Sequence, residues 1–200
     1  FAAGSEDVRR MIAVSARLAD YRKVRDELAV LVAADNAGES RLQRLLSDNP
    51  WLFGSEYSEL LSRRNWTRDQ NLDFMLRRTA DDYLEIVEIK TPFVQPLFRH
   101  DRSHNSYAPC AQLADAIGQV IRYVEETERD RDSIIAHDDC DPLKIRARII
   151  IGRDGDANQR TALREFNGHL HRIEVLTFDQ LLRIADRVLS LFEEKLAGRT

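Results

Sequence analysis

Two alternating runs of residues joined by a tight turn constrain the fold of this chain more than any other feature. They lie in the segment 71-NLDFMLRRTADDYLEIVEIKTP-92. Apolar and polar residues alternate on both sides of the turn, which predicts a β-hairpin. If the turn is centred between Ala80 and Asp81, paired residues have numbers that add to 161, and Asp73 lies directly opposite Glu88. The two carboxylates then share one face of the hairpin, because side chains alternate between the faces of a strand.

The two predicted faces of the hairpin differ in character. The first, an apolar core face, carries Leu72, Phe74, Leu76, Val87 and Ile89, and the second carries Asp73, Met75, Ile86, Glu88 and Lys90. Opposed carboxylates repel each other, and with a nearby backbone carbonyl they form the hard oxygen site that Mg²⁺ or Mn²⁺ prefers. The alternative is a solvated polar face. Met75 and Ile86 indicate that this face is partly covered, but a one-residue slip in register would separate the carboxylates. Spacing alone leaves both interpretations open.

The remaining pattern predicts an α/β domain with a mixed sheet. Periodic apolar residues predict helices over 6–34, 40–48, 111–128, 157–170 and 179–197. Besides the hairpin, strands are predicted near 61–67 and over 144–152 and 172–178. The segment 35–40 is predicted to be a linker, and 93–109 and 130–142 are predicted to be loops.

Composition narrows the class of protein. Hydrophobic residues make up 43% and charged residues 32% of the 200 residues, which is typical of one globular core. We expect a cytoplasmic protein, because no apolar run approaches a membrane span, no signal peptide is visible, and Cys110 and Cys140 form no closely spaced pair. A net charge of -4 does not point to nucleic acid. Only four of the 30 basic residues are lysines, so a lysine at position 90, where arginine is the usual cation of this chain, indicates a specific role.

The long N-terminal helix has two interpretations. It packs on the core of its own domain, or it forms a seam with a second copy or with preceding protein. The sequence begins at Phe1 rather than Met, which predicts that further protein precedes it. We divide the chain into 1–36, a helix and linker that are a candidate oligomerisation element, and 37–200, the main domain. A homo-oligomer is therefore expected, and light scattering at micromolar concentration tests it.

The hairpin and the helix after it carry a family resemblance. Asp73 on one strand with 88-EIK-90 on the next resembles the catalytic signature of the PD-(D/E)XK nuclease superfamily, and 119-QVIRY-123 is similar to its Q-x-x-x-Y helix motif. More narrowly, 48-DNPWLFG-54, LDF, VEIKTP and IGQVIRYVEE resemble the C-terminal nuclease domain of Shedu, a bacterial anti-phage defence family. The motifs cover about residues 37–126. Residues 144–197 agree only in topology, and the N-terminal helix is not covered.

The resemblance implies a restriction-endonuclease-like αβββαβ core. It also implies a function, the hydrolysis of DNA with Mg²⁺ or Mn²⁺, and phage DNA is the expected target. It implies that Asp73, Glu88 and the Ile89 carbonyl bind the metal. Lys90 would orient or help to deprotonate the attacking water and offset charge in the transition state. Gln119 would support the catalytic site. Glu39 is the nearest match to a further acid from the first helix, although an acidic residue in a first helical turn also favours the helix dipole.

Four residues are candidates for DNA contact. They are Arg77, Arg99, Arg102 and Tyr123. Arg77 shares the strand face of Asp73, and the two other arginines lie in the predicted loop 93–109. Two alternatives to a defence nuclease remain open. One is a nuclease-fold domain that binds DNA or a partner without cutting, which the acidic net charge favours. The other is a restriction or repair nuclease of the same superfamily.

Overall fold

A five-stranded mixed sheet with helices on both faces forms the domain. The computed structural model describes residues 2–34, 38–61, 72–138 and 140–197. The helices are α1 (Ala2–Ala33), α2 (Glu39–Asp48), α3 (Ala111–Arg129), α4 (Arg131–Asp138), α5 (Ala157–His169) and α6 (Phe178–Ala197), with a 3-10 turn at Pro50–Phe53. The strands are β1 (Tyr57–Leu60), β2 (Phe74–Arg78), β3 (Leu84–Ile89), β4 (Phe98–Asp101), β5 (Ser106–Pro109), β6 (Arg146–Ile150) and β7 (Ile173–Leu176).

The strand order places β3 at the centre of the sheet. The order is β1-β2-β3-β6-β7, and β4 pairs with β5 in a separate hairpin. β1, β2 and β3 are antiparallel neighbours, whereas β3, β6 and β7 run parallel. The predicted α/β class, mixed sheet and long N-terminal helix are confirmed.

The register of the β2–β3 hairpin agrees with the prediction. Phe74 pairs with Val87 and Met75 with Ile86, so the numbers of paired residues add to 161. Continuing this register by one residue brings Asp73, which directly precedes β2, opposite Glu88. The slip that would have separated the two carboxylates does not occur.

Both faces of the hairpin are buried. Met75 and Ile86 pack with Leu113 and Val120 of α3 in one cluster. On the other face, residues of α1, α2 and α6 cover the hairpin; this second cluster includes Leu28, Leu42, Leu46, Phe74, Val87 and Leu181. All six residues of β3 are buried, as expected for a central strand covered on both sides. Leu72 was expected beside Phe74, but it packs in the α3 cluster, because β2 begins at Phe74 and Leu72 lies outside the paired strand.

Three predicted connections differ from the structure. The segment 93–109 contains the β4–β5 hairpin, whose short strands, FRHD and SYAP, are mostly polar and end at Pro109. Residues 131–138 form α4, and among 131–137, whose burial is described, only Ile134 is buried, so the apolar signal was weak. β1 ends at Leu60, before the predicted strand near 61–67, of which residues 62–67 lie outside the described residues. Of the predicted linker, Glu39 already belongs to α2, while 35–37 also lie outside the described part.

The C-terminal half of α1 packs on its own domain. Leu28, Leu31 and Val32 are buried in the cluster with α6, and Arg25 Nε donates to Asp186 Oδ1 at 2.6 Å. Further toward the N-terminus, Ile12 is 64% exposed. The first of the two interpretations of α1 therefore holds for its C-terminal half. Contact with a second copy stays a prediction. Among the described helices, none has the length and apolar character that a bilayer span requires.

Candidate active site

Four polar side chains meet at the carboxyl end of β3. Asp73 precedes β2, Glu88 is the fifth residue of β3, and Lys90 directly follows that strand. Gln119 reaches them from α3, which packs over the same face. The hairpin register fixes the two carboxylates, and the buried face of α3 fixes the glutamine. The arrangement therefore follows from the main packing of the domain.

Asp73 is held by two donors. Ile89 N donates to its Oδ2 at 2.9 Å, and Gln43 Nε2 of α2 donates to its Oδ1 at 2.9 Å. The first bond replaces the ladder bond that a longer β2 would have made with β3. Hydrogen bonds to both oxygens fix the orientation of the carboxylate before any ligand arrives.

Lys90 links Glu88 to α3. Its Nζ donates to Glu88 Oε1 at 2.8 Å and to Gln119 Oε1 at 2.9 Å. The Gln119 amide in turn donates to the Tyr123 hydroxyl one helical turn away. Glu88 is only 4% exposed, whereas 27% of the Lys90 side chain remains accessible. The ammonium thus lies between a buried carboxylate and the surface of the site.

The environment of Glu88 disfavours its charged form. Burial raises the pKa of this carboxyl most, and the charge of Asp73 raises it further. The hydrogen bond and charge of Lys90 act in the opposite direction, and Glu39 contributes a smaller increase. The resulting pKa is about 7. Two acids and one ammonium leave the site short of positive charge, which a divalent cation would supply.

Lys90 is held in its charged form. Burial lowers its pKa, but the hydrogen bond and charge of Glu88, followed by the charges of Glu39 and Asp73, outweigh burial, so the net shift is upward. The side chain is therefore an ammonium at neutral pH. It can donate hydrogen bonds and neutralise negative charge, and it cannot accept a proton in this state.

The donor set fits a hard divalent cation. The backbone N–H and C=O groups of alternate residues along a strand point to the same neighbouring strand. The Tyr83 carbonyl accepts from Arg78 N of β2, so the backbone groups of the odd-numbered residues that follow along β3 face β2. The Ile89 amide also bonds toward β2, so its carbonyl lies on the Asp73 side of the strand. Two carboxylates and this carbonyl are the oxygen ligands that Mg²⁺ and Mn²⁺ prefer. Across the described ranges, no group of three or more His, Cys, Asp or Glu is placed to hold a metal ion.

The other predicted site residues lie at varied positions. Glu39 begins α2, and its charge acts on both Glu88 and Lys90. Tyr123 is 6% exposed and lies beneath Gln119, so the structure places it as a support of that amide. Its direct contact with DNA stays a prediction.

The three predicted arginines are outside this cluster. Arg77 lies four residues along from Asp73, about 13 Å on an extended strand, and it binds Glu59 Oε2 and Cys140 Sγ. Arg99 is on β4 and Arg102 is in the turn that follows, and both are exposed. The structure does not bring Arg77 to the carboxylates. A DNA contact by any of the three stays a prediction.

Gln43 is the residue of this site that sequence reasoning missed. It lies one turn after Glu39 on the same side of α2, next to the buried Leu42 and Leu46. A half-buried polar residue beside the apolar stripe of a helix is a weak signal, because most such residues only border solvent. Only the packing of α2 against the start of β2 shows that this amide reaches Asp73.

The fold and the cluster define a class: a mixed α/β domain with two carboxylates and a lysine at the carboxyl end of its central strand. The family model described as Shedu protein SduA, C-terminal, matches residues 36–182, well over half of the chain. The chain therefore belongs to the Shedu SduA family, and the predicted resemblance to Shedu is confirmed. The match continues past those motifs through β6, α5 and β7, and it leaves α1 outside. No curated protein matches the chain.

Proposed function

We propose that this chain is a metal-dependent DNA endonuclease domain of the PD-(D/E)XK type, acting in bacterial anti-phage defence. The observation that carries the proposal is the cluster of Asp73, Glu88 and Lys90, in which a buried carboxylate and an ammonium share one strand end. The order α2, β1, β2, β3, α3, β6 supports it, because with the inserted β4–β5 hairpin and α4 left aside this is the αβββαβ order of that superfamily. Membership of the Shedu family supports the role in defence.

A divalent cation would be held by Asp73, Glu88 and the Ile89 carbonyl. Bound there, Mg²⁺ or Mn²⁺ lowers the pKa of a coordinated water and neutralises charge on the scissile phosphate. Gln43 and the Ile89 amide keep the Asp73 carboxylate in one orientation through the two 2.9 Å bonds. Preorganised ligands of this kind lose little entropy when the ion binds.

Lys90 supplies fixed positive charge. Its ammonium can bond to the attacking water or to a phosphate oxygen, where negative charge develops as the phosphorus–oxygen bond forms. Its Nζ donates one hydrogen bond to Gln119 and another to Glu88, so the position of the ammonium is set before the substrate binds. Since its pKa is raised, Lys90 acts by orientation and charge. A base must then come from solvent or from the substrate.

DNA is the proposed substrate, and the β4–β5 hairpin is the proposed arm that binds its backbone. Arg99 and Arg102 are exposed there, and in the described part of the chain neither forms an ion pair with an acid. Exposed guanidinium groups without an acidic partner are available for phosphate oxygens. A homo-oligomer built through α1 is also proposed, since Ile12 and Val14 are exposed on its N-terminal half.

A non-cutting nuclease-fold domain is the second candidate function. The net charge of -4 favours it, because a domain that tracks DNA usually carries a positive balance. It predicts that the carboxylates bind no cation. A metal titration therefore separates the two candidates without depending on the choice of DNA.

The first test is titration calorimetry with Mn²⁺ on the wild type, Asp73→Asn and Glu88→Gln. Wild type is expected to bind one ion, and both variants are expected to lose measurable binding, since each removes a charged ligand of a shared site. Because Glu88 must be ionised to bind the ion, affinity should rise between pH 6 and pH 8, through its pKa of about 7. Proton release should accompany binding near neutral pH.

The matched control for this titration is Asp132→Asn, which removes an exposed acid from α4 and should leave the binding isotherm unchanged. Unchanged Mn²⁺ binding in both Asp73→Asn and Glu88→Gln would mean that the opposed carboxylates are not a metal site. The non-cutting candidate would then be favoured.

Gln43→Leu should weaken Mn²⁺ binding by about tenfold, because residues that orient a metal ligand contribute about 10- to 100-fold to affinity. The substitution removes the donor to Asp73 Oδ1 and keeps a helix-compatible side chain of similar size. Calorimetry measures the change, and Arg41→Ala, on an exposed part of the same helix, is the control. Equal affinity for Gln43→Leu and wild type would show that the Gln43 amide is not needed to orient Asp73.

A further inference from the structure

The β4–β5 hairpin is anchored firmly at its base. The side-chain amide of Gln159 forms two hydrogen bonds with the backbone of Phe98. Its Oε1 accepts from Phe98 N, and its Nε2 donates to Phe98 O, each at 2.9 Å. The Phe98 ring is buried and meets Phe166 edge-to-face at 5.4 Å between centroids. Cys110 N donates to Leu97 O at 2.8 Å and closes the base. The base of this hairpin, called the arm below, is therefore packed into the core, and this packing fixes where the outer part begins.

The turn of the hairpin uses its own acid internally. Asp101 is the only acidic residue between 98 and 109. Its Oδ1 accepts from Ser103 N at 2.9 Å and its Oδ2 bonds to His104 Nδ1 at 3.0 Å. The hydrogen bonds from Ser103 and His104 lower the pKa of Asp101 to about 2. This carboxylate stabilises the turn, and it forms no ion pair with the arginines beside it.

A pair of rings lies exposed on the arm. His100 and Tyr107 are directly opposed across the two strands, with centroids 4.8 Å apart and planes inclined by 31°. Both are exposed, Tyr107 by 36% of its surface. Arg102 follows two residues after His100, in the turn, whereas Arg99 alternates to the opposite face of β4. A ring pair exposed to water, with a cation in the adjoining turn, combines the two features that single-stranded nucleic acid binds: a stacking surface and positive charge.

The arm begins at the edge of the sheet that carries the catalytic cluster. Seven residues separate Lys90 from Phe98. Gly152, just after the carboxyl end of β6, lies under the base of the arm, where a Cβ would be 3.0 Å from Leu97 Cδ2. A Cβ here would make the Leu97 side chain shift by a few tenths of an ångström, and the φ of +61° also favours glycine. The closely packed base connects the arm to the strand end where Glu88 and Lys90 lie.

We propose that the His100–Tyr107 pair is a stacking platform for an unpaired nucleobase of DNA, with Arg102 of the adjoining turn on a flanking phosphate. The proposal rests on the proposed function in taking DNA as the ligand, and it adds a substrate class: DNA with unpaired bases, as in single strands, frayed ends or forks. Bases inside a duplex already stack on their neighbours. An exposed ring pair therefore gains a partner only where a base is free.

Binding without cleavage tests the platform. Fluorescence anisotropy in EDTA would measure affinity for a labelled 20-nucleotide oligothymidylate and for a blunt-ended 20-base-pair duplex. Wild type is expected to bind the single strand more tightly. Tyr107→Ala should weaken single-strand binding by about tenfold, within the range for loss of one stacked base, and duplex binding should change less than twofold. Tyr107→Phe, which keeps the ring, is the matched control and should match wild type. His100→Ala should reproduce the selective loss.

The outcomes separate the platform from the nuclease proposal. Equal single-strand affinity for Tyr107→Ala and wild type overturns the platform and leaves the proposed nuclease intact. An equal loss on both DNAs also overturns it, because it indicates a general backbone contact. If wild type binds neither DNA, the platform and the DNA substrate are both overturned, whereas Mn²⁺ titration still reports on the carboxylates. Since Tyr107 is exposed, the thermal midpoint of each variant should equal that of wild type.

Discussion

Lys90→Ala is expected to slow phosphodiester cleavage by about a thousandfold while leaving Mn²⁺ binding intact. The magnitude is that of removing one preorganised charge or donor from a transition state, about 10²- to 10³-fold, and a further loss arises because Gln119 is left without its partner. The ammonium donates to Glu88 and Gln119 at 2.8 and 2.9 Å, so its removal takes a donor from both side chains. Single-turnover cleavage of labelled DNA, with protein in excess, measures the rate.

The choice of variants makes this result specific to Lys90. Lys23→Ala removes an exposed lysine from α1 and should cleave at the wild-type rate. Lys90→Arg keeps the charge but replaces a compact ammonium by a planar fork, so it should recover only part of the rate. Mn²⁺ affinity should be unchanged or higher in Lys90→Ala, because a cation beside the two carboxylates has been removed. A wild-type cleavage rate in Lys90→Ala would exclude Lys90 from the chemistry.

The hairpin could be predicted from sequence because it depends on local rules. Alternation of apolar and polar residues fixes which side chains share a face, and a tight turn fixes the pairing. Those two constraints gave the register in which Phe74 pairs with Val87 and placed Asp73 opposite Glu88. The central helices and strands were equally accessible, since each has a long periodic pattern.

The parts that sequence missed depend on tertiary contacts. β4 and β5 are mostly polar and lack a row of buried apolar residues. Their support is visible only in the structure, where the Gln159 side-chain amide forms two hydrogen bonds with the backbone of Phe98. α4 contributes one buried side chain, Ile134, too little for periodicity to detect. Gln43 reaches Asp73 only through the packing of a separate helix. Local patterns cannot encode such distant pairings, which long-range packing determines.

The charge state of the site also could not be derived from spacing. An opposed pair of carboxylates on a solvated face would keep pKa values close to normal. Burial of Glu88 to 4% exposure, together with the neighbouring Asp73, raises its pKa to about 7. This burial argues against the solvated face that spacing left open, and it makes the stability of the metal-free domain depend on one side chain.

Glu88→Gln is expected to stabilise the metal-free domain at pH 8 by about 2 kcal/mol. The rise in the pKa of Glu88 from its usual value near 4.5 to about 7 corresponds to about 3 kcal/mol, the cost of ionising this carboxyl in the folded state. A neutral isostere avoids that cost. The opposing hydrogen bond and charge of Lys90 are already contained in this pKa. The introduced amide brings N–H donors into a buried position, and one left without an acceptor costs about 1 kcal/mol, which reduces the net gain.

The sign of the pH dependence follows from the direction of the shift. The folded domain holds the Glu88 proton more tightly than the unfolded chain, so the favourable contribution is complete below about pH 4.5 and is lost as pH rises through about 7. Wild type and Glu88→Gln should therefore have similar unfolding free energies near pH 4.5 and diverge by pH 8. Urea denaturation in EDTA measures both, and Glu165→Gln, an exposed acid on α5, should show no divergence.

Mn²⁺ should reverse the order of stability of wild type and Glu88→Gln. Mn²⁺ at about 100 times its dissociation constant adds about 2.7 kcal/mol to a protein that binds it only when folded. Wild type gains this term, and Glu88→Gln, which has lost a ligand, does not. A variant that is more stable than wild type in EDTA and less stable in Mn²⁺ would identify Glu88 as a residue kept for binding at the expense of folding. If Glu88→Gln is the less stable protein in EDTA at pH 8, the Lys90 ion pair outweighs burial, and the domain needs no cation to accommodate its buried acid.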